Sequence, residues 1–380
     1  MNKIIRTFHP VGQGAFYSER HEQFNVVYDC GTEYKNRFDK GIEQTVKTAF
    51  SKDDEIDILF ISHFDFDHVC KISALKSSVK NIKKVILPLL HENEKTLLIN
   101  FYQTLEDGLD VIRLVNDPEE FFGESTTIIQ VKLSENNESP INENIESIEI
   151  DSINVDTKTI ESGRRIKKAF KNYEWVYIPY NYDYKNRNSD LETELIKAGF
   201  DVSKMKNDTT YSLSMAINKR KNLRNIYDSL TGKINQNSMV VYSGEINLCK
   251  DKFRIYNLFL NACCMDNYFY HKFWRKYFYE SKVSCIYTGD TDLNIVKIKS
   301  IFGKFWDSVG IVQIPHHGDI KSFDTDILDI QKFCPISVGK NNTYGHPSDK
   351  AIIDILSQDS CPILVTEDKN SIFIQVIEVL

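Results

Sequence analysis

Four side chains that can bind a metal lie on one short stretch, at His63, Asp65, Asp67 and His68. They follow an unbroken apolar run at 58–61, which is the pattern of a strand buried on both faces. Two carboxylates on one tight loop repel each other unless a cation lies between them. A divalent metal needs several nitrogen and oxygen donors at one point, so the loop predicts a metal site. The competing interpretation is a polar loop in which two histidines happen to lie close together.

Three later segments also place candidate ligands directly after an apolar strand pattern: Asp290, His316 with His317, and His346. Taken alone, Asp290 would be read as a turn aspartate. If the two neighbouring histidines extend their strand, their side chains point to opposite faces, and we expect His317 to face the metal site. His346 lies just before a predicted helix at 349–357, and Pro347 suits the start of such a helix.

The segment His63-Phe64-Asp65-Phe66-Asp67-His68 resembles the first metal motif of the metallo-β-lactamase superfamily, HxHxDH, with an Asp in place of the second His. This HxDxDH variant resembles the hydrolase domain of ComEC-type competence proteins, which handle DNA during uptake. Three more segments resemble the later motifs of that domain, in the same order: Thr288-Gly289-Asp290, His316-His317-Gly318 and Gly345-His346-Pro347. Asp319 stands where that domain usually has Ser, so this position has no hydroxyl group for a role there.

The resemblance implies an α/β fold, the four-layer αβ/βα metallo-β-lactamase-type sandwich with insertions. It also implies a single domain over 1–380, with its core at 1–92 and 207–380. The variable segment is 93–206, and an insertion at 218–281 is the candidate for specificity.

Two details of this division depend on individual strand patterns. A strand is predicted at 207–217, opening the second half of the domain. Residues 240–245, inside the proposed insertion, mimic the strand that precedes Asp290 and are interpreted as a decoy.

By resemblance, the site holds two divalent ions. His63 and Asp65 hold one ion, and Asp67 and His68 help to hold the other. Asp290 bridges the two ions, and His346 completes one of the coordination spheres. A carboxylate-rich donor set favours Mn²⁺ or Mg²⁺, and Zn²⁺ stays open.

The remaining roles concern catalysis and substrate. Asp67 and His317 are the catalytic candidates; His317 binds the scissile phosphate, acts as a general acid, or serves as a further ligand. The candidate substrate-binding residues are His317, Asn341 and Tyr344. Asp29, at the end of an earlier strand pattern, is expected to hydrogen-bond the metal loop from beneath.

Composition limits the partners. The net charge is −7 and the pI about 5.8, so a nucleic-acid groove would have to be a local patch. A basic cluster at 164–171 beside aromatic residues at 175–184 could contact single-stranded nucleic acid, but a solvated helix face beside a core strand is the favoured interpretation. The insertion carries similar clusters at 219–224 and 268–279.

No apolar run approaches the ~20 residues that span a bilayer, and no signal peptide is evident. The eight cysteines form no CxxC pair and suit buried, reduced thiols. We therefore expect a soluble, cytoplasmic protein with no membrane association.

Three functions follow from these patterns. The first is a metal-dependent phosphodiesterase, most simply a nuclease that acts on DNA or RNA with a metal-activated water. The second is a hydrolase of a small cyclic nucleotide or another small ester, which the acidic pI favours. The third is a binding module of the same fold with reduced catalysis, supported by the missing second His of the first motif.

Overall fold

The computed structural model describes residues 3–104, 108–134, 140–141, 146–182, 189–229, 238–245, 253–259, 282–329 and 331–380. Within these ranges the chain forms two large sheets that pack face to face, with helices on both outer faces. A two-stranded ribbon, β4 (Glu55–Ile56) with β6 (Asn81–Ile82), is added to the first half.

The first sheet has nine strands among the described residues, in the spatial order β10 (Thr159–Ile160), β8 (Thr127–Val131), β7 (Lys84–Pro88), β5 (Ile58–Phe60), β3 (Phe24–Cys30), β2 (Phe16–His21), β1 (Lys3–Phe8), β19 (Phe373–Val379) and β14 (Phe253–Phe259). Strands β3, β5, β7 and β8 are parallel, so their carboxyl ends lie at one edge of the sheet. The strand that precedes the metal loop is therefore internal, as its apolar run predicts.

The second sheet has eight strands among the described residues, in the order β18 (Cys361–Val365), β17 (Phe333–Ser337), β16 (Val309–Val312), β15 (Ser284–Tyr287), β13 (Val240–Glu245), β12 (Glu174–Tyr180), β11 (Ile166–Ala169) and β9 (Ile148–Glu149). Strands β15 to β18 are parallel. The chain segments that leave β15, β16 and β17 carry Asp290, the paired histidines and His346, respectively.

The first sheet is covered by α1 (Lys40–Thr48), α2 (Phe66–Val69), α3 (Ile72–Ser78), α4 (Glu92–Tyr102), α5 (Leu109–Asn116), α6 (Pro118–Phe122), α7 (Ser189–Lys197), α8 (Val202–Asn207) and α9 (Ile217–Ser229). The second sheet is covered by α10 (Ile298–Phe302) and α11 (Asp349–Ser357). Helix α11 has the bounds that the sequence predicts, and α1 begins where Asp39 Oδ1 accepts hydrogen bonds from the amides of Gly41 and Ile42.

Alternation along the strands separates the layers. In β5, Ile58 and Phe60 pack between the two sheets, whereas Leu59 packs under the helices. In β12, Trp175 and Tyr177 face the first sheet, and Val176 and Ile178 face α10. The layers run helix, sheet, sheet, helix, and the predicted four-layer αβ/βα sandwich is confirmed.

A buried ion pair lies between the sheets. Arg6 Nε of β1 donates to Glu19 Oε1 of β2 at 2.8 Å, and both side chains are excluded from solvent. The second sheet closes over them: Ser243 Oγ donates to Glu19 Oε2 at 2.6 Å, and Tyr287 Oη donates to Glu19 Oε1 at 3.0 Å. Hydroxyl groups of one sheet thus satisfy a carboxylate of the other, which fixes how the two sheets face each other.

The strand predicted at 207–217 is wrong. Helix α8 ends within this stretch, a single 3₁₀ turn follows, and α9 begins at Ile217. Asn100 of α4 explains the difference, because its amide donates to the carbonyls of Met205 and Asp208 and accepts from the amide of Ser212. The hydrogen bonds that the backbone of a strand partner would have supplied come instead from one side chain of a neighbouring helix.

Two other segments contribute more than the sequence indicates. The variable segment supplies β8 to the first sheet and β12 to the second, and the proposed insertion supplies β13 and β14. Strand β13, interpreted as a decoy, is an internal strand between β12 and β15. The division of the chain into domain, variable segment and insertion stays a prediction.

Within the described ranges, no helix is long and apolar enough to cross a bilayer.

Candidate metal centre

The loop after β5 is held by glycines of the neighbouring strands. Any Cβ on Gly31 would overlap the carbonyl group of Asp67, and one on Gly14 would lie 2.8 Å from that oxygen. The amide of Ala15 donates to the same oxygen at 3.1 Å. The first turn of α2, which carries Asp67 and His68, therefore lies directly against the β1–β2 turn and the end of β3.

Two further turns, after β15 and β16, are joined by one glutamine. Gln313 Oε1 accepts hydrogen bonds from the amides of Thr288 and Gly289, at 2.8 and 2.9 Å. Ser238 Oγ accepts from the amide of Asp290 at 2.9 Å, and the positive φ of Gly289, 54°, lets the backbone turn there. These bonds place the Asp290 carboxylate opposite the metal loop.

Three groups of His and Asp side chains each bring one ligand atom per residue within 4.8 Å of the others, considering the described residues only: His63–His68–Asp290, Asp67–His68–His317 and His316–Asp319–His346. In the first group, His68 Nε2 lies 3.1 Å from Asp290 Oδ1, and His63 Nε2 lies 3.8 Å from Asp290 Oδ2. Residues from two strand exits that are far apart in sequence, those of β5 and β15, thus meet at one point.

Both imidazoles of the first group direct an unpaired atom into the site. Among the described residues, His63 Nε2 and His68 Nε2 are buried and find no hydrogen-bond partner, although Asp290 lies close to each. A buried polar atom without a partner is costly, and one such atom on each of two adjacent rings requires an explanation. A metal ion that binds both Nε2 atoms and the carboxylate supplies one, so the residues fit a divalent cation.

Hydrogen bonds to the opposite ring nitrogens support this orientation. His68 Nδ1 donates to Asp29 Oδ2 at 2.9 Å, and the Ser62 hydroxyl donates to the same oxygen at 2.6 Å. Because the Ser62 proton is used there, His63 Nδ1 must be the donor in its 2.8 Å bond with Ser62 Oγ. Each ring keeps its proton on Nδ1, which leaves Nε2 available as a ligand atom. The expected bonds from Asp29 beneath the metal loop are present.

The second group contains an acid–base pair, His317 and Asp67. His317 Nδ1 donates to the carbonyl of Ser337 at 2.9 Å, and His317 Nε2 lies 3.0 Å from Asp67 Oδ2. His68 belongs to both the first and the second group. Since it has one free nitrogen, it can serve only one ion.

The pKa values follow from these contacts. Burial opposes charge on Asp290, but His68, His316 and His317 outweigh it and hold the pKa of that carboxyl well below its usual value. Burial likewise lowers the pKa of His68 and His317, but the carboxylates of Asp67 and Asp290 raise both overall. Burial, followed by the charges of His317 and His316, lowers the pKa of His346 to about 4.

The structure brings most, but not all, of the predicted residues together. Asp65 Oδ2 lies 3.5 Å from His63 Nε2, at the edge of the first group. His346 groups with His316 and Asp319 rather than with Asp290. Asn341 and Tyr344 are exposed, and the Tyr344 ring stacks on His346 with centroids 6.1 Å apart.

Sequence reasoning missed the part played by His316. The expectation that one of two consecutive histidines must point away holds only for an extended strand. Here both residues have positive φ, 49° for His316 and 56° for His317, in a tight turn, so both rings enter the site region. No sequence signal indicates this backbone, because non-glycine residues seldom adopt it.

The basic cluster at 164–171 includes strand β11 and lies beside the core strand β12. Trp175 and Tyr177, which would have offered stacking surfaces, are completely buried between the sheets. Lys167 pairs with Glu174 and Lys168 with Asp151. The favoured interpretation, a solvated helix face beside a core strand, is wrong about the helix, because Ile166–Ala169 form strand β11 and pair with β12. A contact with nucleic acid stays a prediction, and the aromatic run at 268–279 lies outside the described residues.

No protein-family profile matches the chain, and no curated protein matches it. Among solved structures, the metallo-beta-lactamase fold protein YhfI from Bacillus subtilis matches 47% of this chain and 53% of its own, at 9% identity and a TM-score of 0.22. The match thus spans about half of that protein. A likeness at this level extends neither to activity nor to ligands, and the four-layer architecture stands on the sheets and helices described above.

Proposed function

We propose that the protein is a metal-dependent hydrolase that cleaves phosphodiesters, most simply as a nuclease. The observation that carries the hydrolase proposal is the pair of buried, unpartnered Nε2 atoms on His63 and His68, both facing the Asp290 carboxylate. The phosphodiester class is supported by the order of the four motifs, which resembles that of ComEC-type domains.

The residues of the site have two roles: some would bind the metal ion, and others would carry a proton. His63, His68 and Asp290 would hold one ion, and Asp67 and His317 would hold the proton for the leaving group. A bound divalent ion supplies Lewis acidity, lowering the pKa of a water and stabilising negative charge on phosphate oxygens. Imidazole nitrogens and carboxylate oxygens in this proportion suit Zn²⁺ or Mn²⁺, with Mg²⁺ less well matched to the nitrogen donors.

His317 can hold a proton for the leaving group. Its Nδ1 proton is used by the Ser337 carbonyl, so a second proton resides on Nε2, beside Asp67. Burial disfavours the charged ring, but Asp67 helps to raise the pKa of this imidazole overall, which favours the protonated form. A proton at that atom suits general-acid catalysis.

A substrate panel tests the proposal. Chelator-treated protein is titrated with Mn²⁺, Zn²⁺ and Mg²⁺ in the presence of labelled single- and double-stranded DNA and RNA, and of cyclic nucleotides. We expect metal-dependent cleavage of a polynucleotide by the wild type and a loss of at least 100-fold in His68→Gln. His91→Gln, a change at an exposed histidine, is the matched control and should retain activity.

The same panel separates the alternatives. Cleavage of cyclic nucleotides alone would replace the nuclease by a small-ester hydrolase, which the net charge of −7 favours because an acidic surface repels a polyanion. Absence of metal-dependent cleavage of every phosphodiester, in protein that binds the metal, would leave a binding module.

A further inference from the structure

The third group, His316, Asp319 and His346, shares no residue with the two groups around Asp290 and His68. One ligand atom from each of its members lies within 4.8 Å of the other two, and the rings of His316 and His346 have centroids 5.6 Å apart. We propose that these three residues form a separate site for one divalent transition-metal ion, beside the central metal centre.

The two loops that carry these residues are fixed to each other. Gly318 has a φ of 84°, and a Cβ there would lie 2.7 Å from the Cβ of Pro347. The amide of Ser348 donates to the Gly318 carbonyl at 3.0 Å. The glycine thus permits a close approach of the backbone between His316 and Asp319 to the residue that follows His346.

The side chains are held by contacts outside the group. Asp319 Oδ1 accepts from the amide of Lys321 at 3.0 Å, while Oδ2 lies 3.6 Å from His316 Nδ1. The Asn342 side chain accepts from the amide of His346 and donates to its carbonyl, at 3.2 and 2.6 Å. Hydrogen bonds of this kind reduce the conformational freedom that a metal ion would otherwise have to remove on binding.

The donor set indicates the class of ion. Two imidazoles and one carboxylate make up the three-ligand sets of catalytic zinc and non-haem iron sites, which keep further positions open. His316 is buried, but Asp319 and His346 are partly exposed, so the open positions would face solvent. This exposure distinguishes the site from the central one, where His63, His68 and Asp290 are all buried.

An accessible ion next to the central site can bind an anionic oxygen of the substrate. This role, which rests on the proposed function, makes a phosphate group the expected occupant of the open positions. Binding of the ion itself does not depend on that role.

Counting ions tests the proposal. Chelator-treated wild type, Asp319→Asn and His346→Gln are dialysed against Zn²⁺ or Mn²⁺, and bound metal is measured by elemental analysis. We expect each variant to bind one ion per chain fewer than the wild type, and the double variant to lose only the same single ion. His63→Gln should keep the ion at His316, Asp319 and His346 while losing metal from the central site.

Asp326→Asn is the matched control, because Asp326 is an exposed carboxylate of a nearby turn outside the group, and it should bind as many ions as the wild type. Thermal unfolding of the metal-free variants verifies that each has folded. Equal stoichiometry in wild type and Asp319→Asn would overturn the proposal, and so would loss of the central metal on replacement of His346, since His346 would then belong to the central centre. A wild type that binds this ion but cleaves no phosphodiester would contradict only the proposed function.

Discussion

The carboxylate of Asp29 accepts a hydrogen bond from His68 Nδ1 at 2.9 Å and another from the backbone amide of Ser62 at 2.7 Å. One side chain at the end of β3 therefore fixes both the ring orientation of a candidate ligand and the backbone of the metal loop. Asp29 itself has a φ of 52°, a backbone conformation that Asp adopts more readily than most residues.

Replacement of Asp29 should weaken metal binding more than it weakens the fold. We expect Asp29→Ala to lose about 10- to 100-fold in affinity at the central site, because His68 loses its orienting acceptor. Asp29→Asn keeps one acceptor oxygen and the backbone preference, and should lose less. Competition with a chromophoric chelator measures both affinities, and wild-type affinity in folded Asp29→Ala would contradict the assignment.

Gly31 should be intolerant of any side chain. The added Cβ in Gly31→Ala would meet the Asp67 carbonyl, and relief of that overlap must move the first turn of α2. We expect the free energy of unfolding, measured with urea on metal-free protein, to fall by about 1–3 kcal/mol. In the control, Gly41→Ala, the new Cβ lies 3.0 Å from Oδ1 of the exposed helix-capping residue Asp39, which must shift only slightly, and we expect a change within about 1 kcal/mol.

Glu19 should make the protein sensitive to strong acid. Burial opposes ionisation of this carboxyl, but Arg6, His21 and Ser243 together outweigh burial and lower its pKa from 4.5 to about 2. A depressed carboxyl pKa contributes stability that is complete above pH 4.5 and is lost as the pH falls through about 2. That contribution is about 3 kcal/mol, at about 1.4 kcal/mol for each pH unit.

Urea unfolding of wild type and Glu19→Gln at several pH values measures this effect. At pH 7 the variant should be less stable by about 3–5 kcal/mol, because it leaves the Arg6 guanidinium buried without its counter-ion. Its stability should then fall less steeply than that of the wild type below pH 4.5. Parallel curves for the two proteins would show that the pKa of Glu19 is the same in the folded and the unfolded chain.

His9 should affect the stability over a different pH range from Glu19. Burial, with a smaller effect of Arg20, lowers the pKa of this imidazole from 6.5 to about 3, and its ring stacks on Phe16. Below pH 6.5, His9 therefore binds a proton in the unfolded chain but not in the native chain, and the stability falls as the pH drops.

Between pH 6.5 and 4.5 the Glu19 contribution stays constant, so His9→Gln should flatten that part of the stability curve. His91→Gln, at an exposed histidine, should leave the curve unchanged. Metal-free protein is used throughout, and the difference between variant and wild type isolates His9 from the histidines of the metal centre. An unchanged slope in His9→Gln would contradict the assignment.

The candidate ligands could be found from sequence because each follows a buried strand, and such strands end at the same edge of a sheet. The strand at 207–217 could not be judged in this way, since its apolar alternation is real but Leu213 and Ile217 are exposed. What decides the local structure there is Asn100, about a hundred residues earlier in the chain. Long-range hydrogen bonds of this kind override local pattern.

Sequence could not predict which group of ligands His346 joins, for the same reason. Its position after a strand indicates a ligand, but not which ion it serves. That depends on the positive φ of His316 and on the contact between Gly318 and Pro347, neither of which has a spacing or composition that can be recognised. The types of ligand could be predicted from the sequence, but the backbone conformation of single residues could not.

The pairing of β1 with β19 aligns Lys3 with Glu378, and β14 attaches to the other side of β19. During translation, β1 can pair with β2 at once, but its other neighbour, β19, is made more than 360 residues later. Contacts between such distant residues slow folding, because a long loop must close before any of them is gained. The β1–β2 hairpin therefore keeps an open edge until β19 pairs with it, and such an edge can meanwhile pair with another chain.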